Sequence, residues 1–229
     1  MKNIFKISTI ALSLLFVISC GDEDLEPVLA LDKDTETGIQ SVDDLKSVLN
    51  SAYNRMTPSG YYGRNALIMG DVRTDNMYSN MNSGRFASSD MDHNPQGFGP
   101  WSSVYGAVAI TNIVLQADTS NLSGDAALIT HTQGQAHALR ALLHFDLLRM
   151  YGQHFIDGQG GLQALGVPYV KTYKDPANLQ PARGTVASNL GDIVADLNAG
   201  ISMMNQSFDN STSYMTVAGA YAVLARAAL

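Results

Sequence analysis

The sequence has a single cysteine, few charged residues and no cluster of basic ones. One cysteine cannot form an internal disulfide, and it supplies neither a CxxC redox pair nor a thiolate zinc site. Charged residues make up 15% of the 229-residue chain, against about 25% in an average soluble domain. Lys and Arg number 14 against 21 Asp and Glu, which gives a formal charge of -7. Because phosphate binding needs clustered Lys and Arg, we do not expect a nucleic-acid partner.

The apolar stretch at the N-terminus is too short to cross a bilayer. Lys2 and Lys6 precede mostly apolar residues at positions 7–18, a length typical of a signal peptide and below the roughly 20 residues of a membrane span. The stretch ends in Val17-Ile18-Ser19-Cys20, which resembles a bacterial lipobox. We therefore predict a lipoprotein signal peptide over residues 1–19, with Cys20 carrying the lipid (palmitate) as the first mature residue. An ordinary signal peptide followed by a buried cysteine is the alternative.

The residues after the cysteine are acidic and have no apolar periodicity. Asp22, Glu23, Asp24 and Glu26 are most simply a solvated tether, and residues 20–40 are predicted to be a flexible linker. The acidic run also resembles the export tag of lipoproteins on the outer face of the Bacteroidetes outer membrane. Loss of residues 1–19 would remove two lysines and no acid, which changes the net charge from -7 to -9.

Apolar residues at spacings of three and four predict a helical domain over residues 41–229. Ser41, Thr185 and Thr216 have the side chains of N-cap residues. In each of the two later helix pairs, the second helix is predicted to start about 30 residues after the first, close to the tetratricopeptide period. We predict a mostly all-α fold of two tetratricopeptide-like helical hairpins stacked with the first helix and separated by long irregular loops. The helices are expected to begin after Ser41, near Pro100, near Leu128, after Thr185 and after Thr216, with a short piece near Leu67.

The last predicted helix reaches Leu229 without a Gly, Asn or Pro cap. Helices usually end at such residues. The chain is therefore expected to be truncated at its C-terminus.

An ordered set of short motifs resembles the SusD/RagB family of nutrient-uptake lipoproteins from Bacteroidetes. No single motif is diagnostic, but the set spans nearly the whole chain. In chain order the motifs are the lipobox at Cys20, Trp101-x-x-x-Tyr105, Thr111–Leu115, Gly134–Ala136, Leu139–Ala141, Phe145–Gly152, Gly166–Val170, Arg183–Val186, Asp196-Leu197 and Ala225-Arg226.

The resemblance implies a lipid-anchored protein of the outer membrane that faces the exterior. Such a protein captures an oligosaccharide or similar nutrient and passes it to a SusC-like TonB-dependent transporter. Residues 41–229 would be the N-terminal domain of the family, with the C-terminal half absent. We predict no enzyme activity and no cofactor; an enzyme whose catalytic residues lie in the absent half is a third reading. The alternative is a tetratricopeptide-type scaffold that docks on the transporter and binds no ligand in this half.

The histidines and carboxylates do not have the spacing of a catalytic or metal site. His137 and His144 lie seven residues apart on one predicted helix, about 10 Å along its axis, which is too far for two ligands of one ion. HExxH, GxSxG and P-loop motifs are absent from the sequence. We therefore predict no catalytic residues and no metal.

The irregular stretch between residues 60 and 100 has the composition of a sugar-binding surface. Sugars present apolar C–H faces ringed by hydroxyls, so aromatic rings beside polar side chains favour their binding. The alternative is that the aromatic residues belong to the core, Trp101 above all. The candidate ligand-binding residues are Asp75, Asn76, Tyr78, Arg85, Phe86, Asn94, Phe98 and Trp101.

Arg140 interrupts an otherwise apolar helix. A buried guanidinium must be paired, and we expect a structural ion pair with a carboxylate of the irregular segment, Asp71 or Asp75. Ligand binding by Arg140 is the alternative.

Overall fold

A computed structural model of the chain describes residues 38–90, 99–153, 158–177 and 179–229. These ranges contain six α-helices and one short 3₁₀ helix, and they contain no β-strand. The predicted signal peptide, Cys20 and most of the predicted tether lie outside the described residues. The helices are α1 (Val42–Met56), α2 (Asn65–Val72), α3 (Trp101–Gln116), α4 (Ala126–Tyr151), α5 (Val186–Met203) and α6 (Val217–Ala227), and the 3₁₀ helix is Gln206–Phe208.

The helices begin where the N-cap side chains predict. Ser41 Oγ accepts a hydrogen bond from the Asp44 N–H at 3.1 Å and donates one to the Asp44 carboxylate at 2.8 Å. Thr185 and Thr216 likewise accept bonds from backbone N–H groups in the first turns of α5 and α6. These bonds satisfy donors that have no partner within the helix. The helix α4 begins at Ala126, two residues before the predicted start near Leu128, and its N-cap is Asp125.

The long helix α4 is the centre of the domain. It packs against α1, α3, α5 and α6, and it is buried on most sides as its apolar pattern predicts. The α3–α4 and α5–α6 pairs are the two predicted helical hairpins, and α1 packs on α3 and α4. The all-α, tetratricopeptide-like fold is thus confirmed. The shared core includes Leu45, Leu49, Val104, Val108, Leu139, Leu143, Leu147, Ile193 and Leu197.

Two glycines let α4 and α5 approach closely. A Cβ atom on Gly134 would lie 2.8 Å from the Gly200 carbonyl oxygen, and one on Gly200 would lie 2.6 Å from the Gly134 carbonyl oxygen. Both distances are shorter than a carbon–oxygen van der Waals contact, and the atoms that would have to move belong to the backbone. The close crossing of these helices therefore depends on glycine, which has no side chain, at both positions.

Arg140 is buried in an ion pair, but the carboxylate is Asp196. The Arg140 Nε and Nη2 atoms donate to the two Asp196 oxygens at 2.8 and 2.6 Å, and Nη1 donates to Asn112 Oδ1 at 2.8 Å. The predicted partner is wrong: Asp71 and Asp75 are exposed. The physical reason is that α5, and not the irregular segment, packs on the face of α4 that carries Arg140.

Asp196 is the acceptor of a larger buried network. His137 Nδ1 lies 3.0 Å from its Oδ1, and the Tyr169 hydroxyl donates to its Oδ2 at 2.6 Å. Burial alone would raise the pKa of Asp196, but the hydrogen bonds from His137, Arg140 and Tyr169 outweigh it and hold the pKa well below its usual range. The carboxylate therefore stays ionised inside the fold.

His144 holds the segment 166–170 against α4. Its Nε2 accepts a hydrogen bond from the Val170 N–H at 3.1 Å, and its Nδ1 lies 2.9 Å from the Arg140 carbonyl oxygen. Nδ1 therefore carries the proton, and the ring is neutral. Burial lowers the pKa of His144 to about 4. His137 and His144 thus have separate structural contacts on α4.

None of the described helices combines the length and apolar character required to cross a membrane.

Candidate functional site

The irregular segment after α1 is anchored to α4 by two tyrosines. The Tyr61 and Tyr62 hydroxyls donate to the same oxygen of Asp146, at 2.6 and 2.7 Å. Burial raises the pKa of Asp146 while the two tyrosine hydrogen bonds lower it, and the net direction is upward. Burial is the largest cause that raises the pKa of both tyrosines, and the charge of Asp146 is the second largest. These contacts fix the chain at the point where the irregular segment begins.

A cavity of about 410 Å³ lies directly beside this anchor. Its walls come from the turn after α1, from residues 85–89 and from the start of α3. Tyr61 and Phe86 supply aromatic surface, and Arg64 and Arg85 supply guanidinium groups. The volume falls within the range of small-molecule sites, about 300–1,000 Å³.

A second cavity of about 400 Å³ adjoins the first. Arg64, Arg85 and Phe86 line both of them, and Tyr78 lines the second. The Tyr78 side chain is 78% exposed, which is unusual for an aromatic residue that has only a core role. We call these two cavities together the loop site.

Phe86 is the common wall of the loop site. The Arg64 guanidinium lies over its ring at 5.5 Å from the centroid, within the range of a cation–π contact. The backbone of Phe86 has a φ of 58°, in the left-handed region that a bulky residue rarely adopts. Such strained residues cluster at ligand-binding positions.

The structure brings some of the predicted ligand-binding residues together and leaves others apart. Tyr78, Arg85 and Phe86 meet in the loop site. Within the described part of the chain, Asp75 and Asn76 are exposed and line neither cavity. The predicted residues Asn94 and Phe98 lie outside the described residues.

Trp101 is at the edge of the loop site and is partly packed. It directly follows Pro100, which lines the first cavity. Its ring centroid is 4.7 Å from that of Tyr105 and 4.8 Å from that of Tyr151, yet the residue is 39% exposed. The residue is therefore partly packed and partly exposed, and its role in ligand binding stays a prediction.

Sequence reasoning missed Tyr61 and Arg64 as wall residues. Tyr61 is an aromatic residue that is only 1% exposed, which favours a core role, although it also borders the cavity. The available signal was Asp146, an acid within the apolar run of α4 that needs hydrogen-bond donors when buried. A pair of tyrosines directly after α1 could supply them.

The loop site combines flat apolar surface with hydrogen-bond donors. Aromatic faces suit the C–H surface of a sugar ring, and guanidinium and hydroxyl groups suit its oxygens. In the ranges that the structure describes, no group of three or more His, Cys, Asp or Glu side chains has the geometry to hold a metal ion. The site has the features of a binding surface for a polar ligand with flat apolar faces.

Stacked helical hairpins that carry an aromatic and guanidinium-lined cavity define a helical binding domain. The chain belongs to the SusD-like family described as "Starch-binding associating with outer membrane", whose profile matches residues 29–229. The sequence resemblance to the SusD/RagB family is thereby confirmed. Among curated proteins, none matches this chain significantly.

Solved structures of the same superfamily share the fold. A proposed sugar-binding protein from Bacteroides vulgatus is 28% identical, with a TM-score of 0.70 over 84% of this chain and 43% of that one. A SusD superfamily protein from the same species is 27% identical, with a TM-score of 0.71 over 82% of this chain and 43% of that one. Another from Bacteroides thetaiotaomicron is 25% identical, with a TM-score of 0.66 over 82% and 42%. The chain thus spans less than half the length of these relatives.

Proposed function

We propose that the protein is a non-catalytic glycan-binding lipoprotein that captures an oligosaccharide at the loop site. The single observation that carries this proposal is the shared wall of two cavities, where the Phe86 ring lies under the Arg64 guanidinium beside the exposed Tyr78. Membership of a family described by starch binding, and a relative described as sugar-binding, support the same ligand class.

The proposed ligand contacts follow from the chemistry of the walls. The exposed Tyr78 ring and the Phe86 ring would stack on the C–H faces of successive sugar units. Arg64 and Arg85 would donate to hydroxyl or ring oxygens, and no proton or bond needs to be transferred. Two adjoining cavities suit a chain of sugar units better than a single sugar. The ligand would leave unchanged.

The proposal includes the place of capture. Lipidation at Cys20 would hold the protein at the outer membrane, and the acidic linker over residues 20–40 would let the helical domain face the exterior. The captured oligosaccharide would then pass to a SusC-like TonB-dependent transporter. Because a mature charge of -9 would be repelled by anionic lipid, attachment would depend on acyl-chain insertion.

The second candidate function is a scaffold that only docks on the transporter. Stacked helical hairpins are common protein-recognition surfaces, and the fold observed over α3–α6 favours this role as much as glycan capture. The two candidates differ in one respect: the scaffold predicts no saturable glycan binding by this chain.

Isothermal titration of the full 229-residue chain with maltoheptaose, laminarihexaose and xylohexaose tests the proposal. We expect saturable binding of at least one of these glycans, and at least tenfold weaker binding by Phe86→Ala. Leu67→Ala is the matched control, because Leu67 is an exposed apolar residue of the adjacent α2 that lines neither cavity within the described residues. The absence of saturable binding by the wild type would support the scaffold, and equal loss in both variants would contradict the assignment of the glycan to the loop site.

A further inference from the structure

The charged side chains that line the loop site have one sign. Arg64 and Arg85 line both of its cavities, and no Asp or Glu is among the described residues that line either cavity. The chain as a whole has 21 Asp and Glu against 14 Lys and Arg, which gives a formal charge of -7. The loop site is therefore a local positive surface on an acidic protein, and this charge favours an anionic ligand.

Two carboxylates close to the loop site do not take the place of such a ligand. Asp90 directly follows residues 85–89 of the wall, but it lines neither cavity and its Oδ1 is buried. Asp146 accepts a hydrogen bond from the Tyr61 hydroxyl at 2.6 Å through one oxygen, and Arg149 Nη1 lies 3.7 Å from the other. Neither acid is a wall residue of the loop site, so neither neutralises it from within.

Both arginines keep N–H donors for a ligand. Arg64 Nε donates to Asn65 Oδ1 at 3.0 Å, and the guanidinium lies over the Phe86 ring. Among the described residues, the two terminal nitrogens of Arg64 and the guanidinium of Arg85 have no hydrogen-bond or ion-pair partner. A guanidinium stays protonated at physiological pH, and its paired N–H groups match the two oxygens of a carboxylate.

The backbone that carries Arg85 is held by local hydrogen bonds. Ser79 Oγ donates to the Arg85 carbonyl oxygen at 3.0 Å, and the Arg85 N–H donates to Ser83 Oγ at 3.3 Å. The turn therefore presents Arg85 and the adjacent Phe86 from a fixed position, which lowers the cost of ordering them around a ligand. Further hydroxyl donors in the first cavity come from Ser88, Ser89 and Ser103.

The combination of charge and ring restricts the anion. The Arg64 guanidinium lies 5.5 Å from the centroid of Phe86, and Tyr78 lines the second cavity together with Arg85. A uronate unit has its carboxylate on the sugar ring itself, so its anionic group and its flat C–H face are close together. The side chain of an acidic peptide has a carboxylate but no such face. The walls therefore fit a uronate better than an acidic peptide.

We propose that the loop site is selective for an anionic ligand, whose carboxylate is bound by Arg64 and Arg85. The inference rests on the capture function proposed above, and it makes the captured nutrient an acidic, uronate-bearing oligosaccharide. This ligand differs in charge from the neutral starch of the family's description. The ring of the uronate stacks on Phe86, and the serine hydroxyls of the first cavity donate to its remaining oxygens.

Isothermal titration of the full chain with hexagalacturonate, hexamannuronate and hexaguluronate tests the selectivity. The methyl ester of each is the matched ligand, because it has the same sugar backbone and no charge. We expect at least one uronate to bind about tenfold or more tightly than its ester. That preference should shrink when NaCl is raised from about 50 to about 500 mM, since salt screens exposed charges.

Variants of the two arginines test whether they carry the preference. Arg64→Gln and Arg85→Gln keep an amide donor and remove the charge, so each should lower the uronate-to-ester preference at least threefold, by a rough estimate for one exposed charge. Arg85 is exposed, so Arg85→Gln tests the proposal without a folding defect. Lys46→Gln is the control: it changes the net charge equally, on a side chain of α1 that is 46% exposed and lines neither cavity.

The outcomes separate this inference from the capture function. Uronates that bind no more tightly than their esters would overturn the selectivity and leave glycan capture intact. A preference that persists in both arginine variants, or that Lys46→Gln lowers equally, would do the same. No binding of any uronate, ester or neutral glycan would overturn both proposals. Hexaglutamate that binds as tightly as the best uronate would overturn the assignment of the anion to a sugar.

Discussion

Replacing Arg140 by Met tests whether the buried network of α4 and α5 stabilises the fold. The variant removes two hydrogen bonds to Asp196, at 2.8 and 2.6 Å, and leaves the Asn112 oxygen that accepted a third bond at 2.8 Å. Removing one partner of a buried ion pair costs about 3–5 kcal/mol, because the other charge remains buried. A loss of that size would be a large fraction of the stability of a typical domain, about 5–15 kcal/mol.

Urea unfolding followed by circular dichroism measures the loss directly. Lys171→Met is the matched control, because Lys171 and Asp192 form an ion pair of 2.7 Å whose side chains are substantially exposed, and such pairs contribute about 0–1 kcal/mol. The reasoning is refuted if the free energy of unfolding of Arg140→Met lies within about 1 kcal/mol of the wild-type value. Unchanged stability together with lost glycan binding would instead assign Arg140 to ligand recognition.

Three further predictions follow from close contacts. Gly200→Ala should destabilise by about 1–3 kcal/mol in urea unfolding, since its Cβ would lie 2.6 Å from the Gly134 carbonyl oxygen; Gly191→Ala on the open side of α5 should stabilise by about 0.5–1 kcal/mol, and equal effects would contradict the close crossing. Because burial lowers the pKa of His144 to about 4, its neutral form stabilises the fold above pH 6.5, and about 3 kcal/mol is lost as the pH falls to 4. The free energy of unfolding, measured at pH 6.5 and at pH 4, should fall less for His144→Asn than for the wild type. An equal fall in both proteins would refute the role of His144 in this pH dependence. Asp146→Ala should weaken glycan binding at the loop site at least fivefold, because the two tyrosines that begin the irregular segment lose their shared acceptor; unchanged affinity would show that the anchor does not position the site.

Local chemistry made most of the helical architecture predictable. Ser41, Thr185 and Thr216 are N-caps in the structure as they are in the sequence, because a hydroxyl before an apolar repeat satisfies orphan N–H groups wherever the helix packs. The requirement that Arg140 meet a carboxylate was equally predictable. Which carboxylate would pair with Arg140 was not predictable, since Asp196 lies 56 residues away and is brought close only by the packing of α5 on α4.

The loop site was predictable in composition and not in shape. Aromatic and polar residues in an irregular segment indicated a binding surface, and Tyr78, Arg85 and Phe86 do meet there. Which neighbours face a cavity depends on backbone turns without periodicity, so Asp75 was included and Arg64 was missed. No spacing rule relates residues 64 and 86 before the chain folds.

The most direct test of glycan capture at the loop site uses the only tryptophan of the chain. Trp101 is 39% exposed and directly follows Pro100, which lines the first cavity, so its fluorescence should report a bound glycan. Titration with maltoheptaose, laminarihexaose or xylohexaose should give a saturable change that Phe86→Ala abolishes and Leu67→Ala preserves. No change with any of the three glycans, or a change that Phe86→Ala leaves intact, would contradict the account.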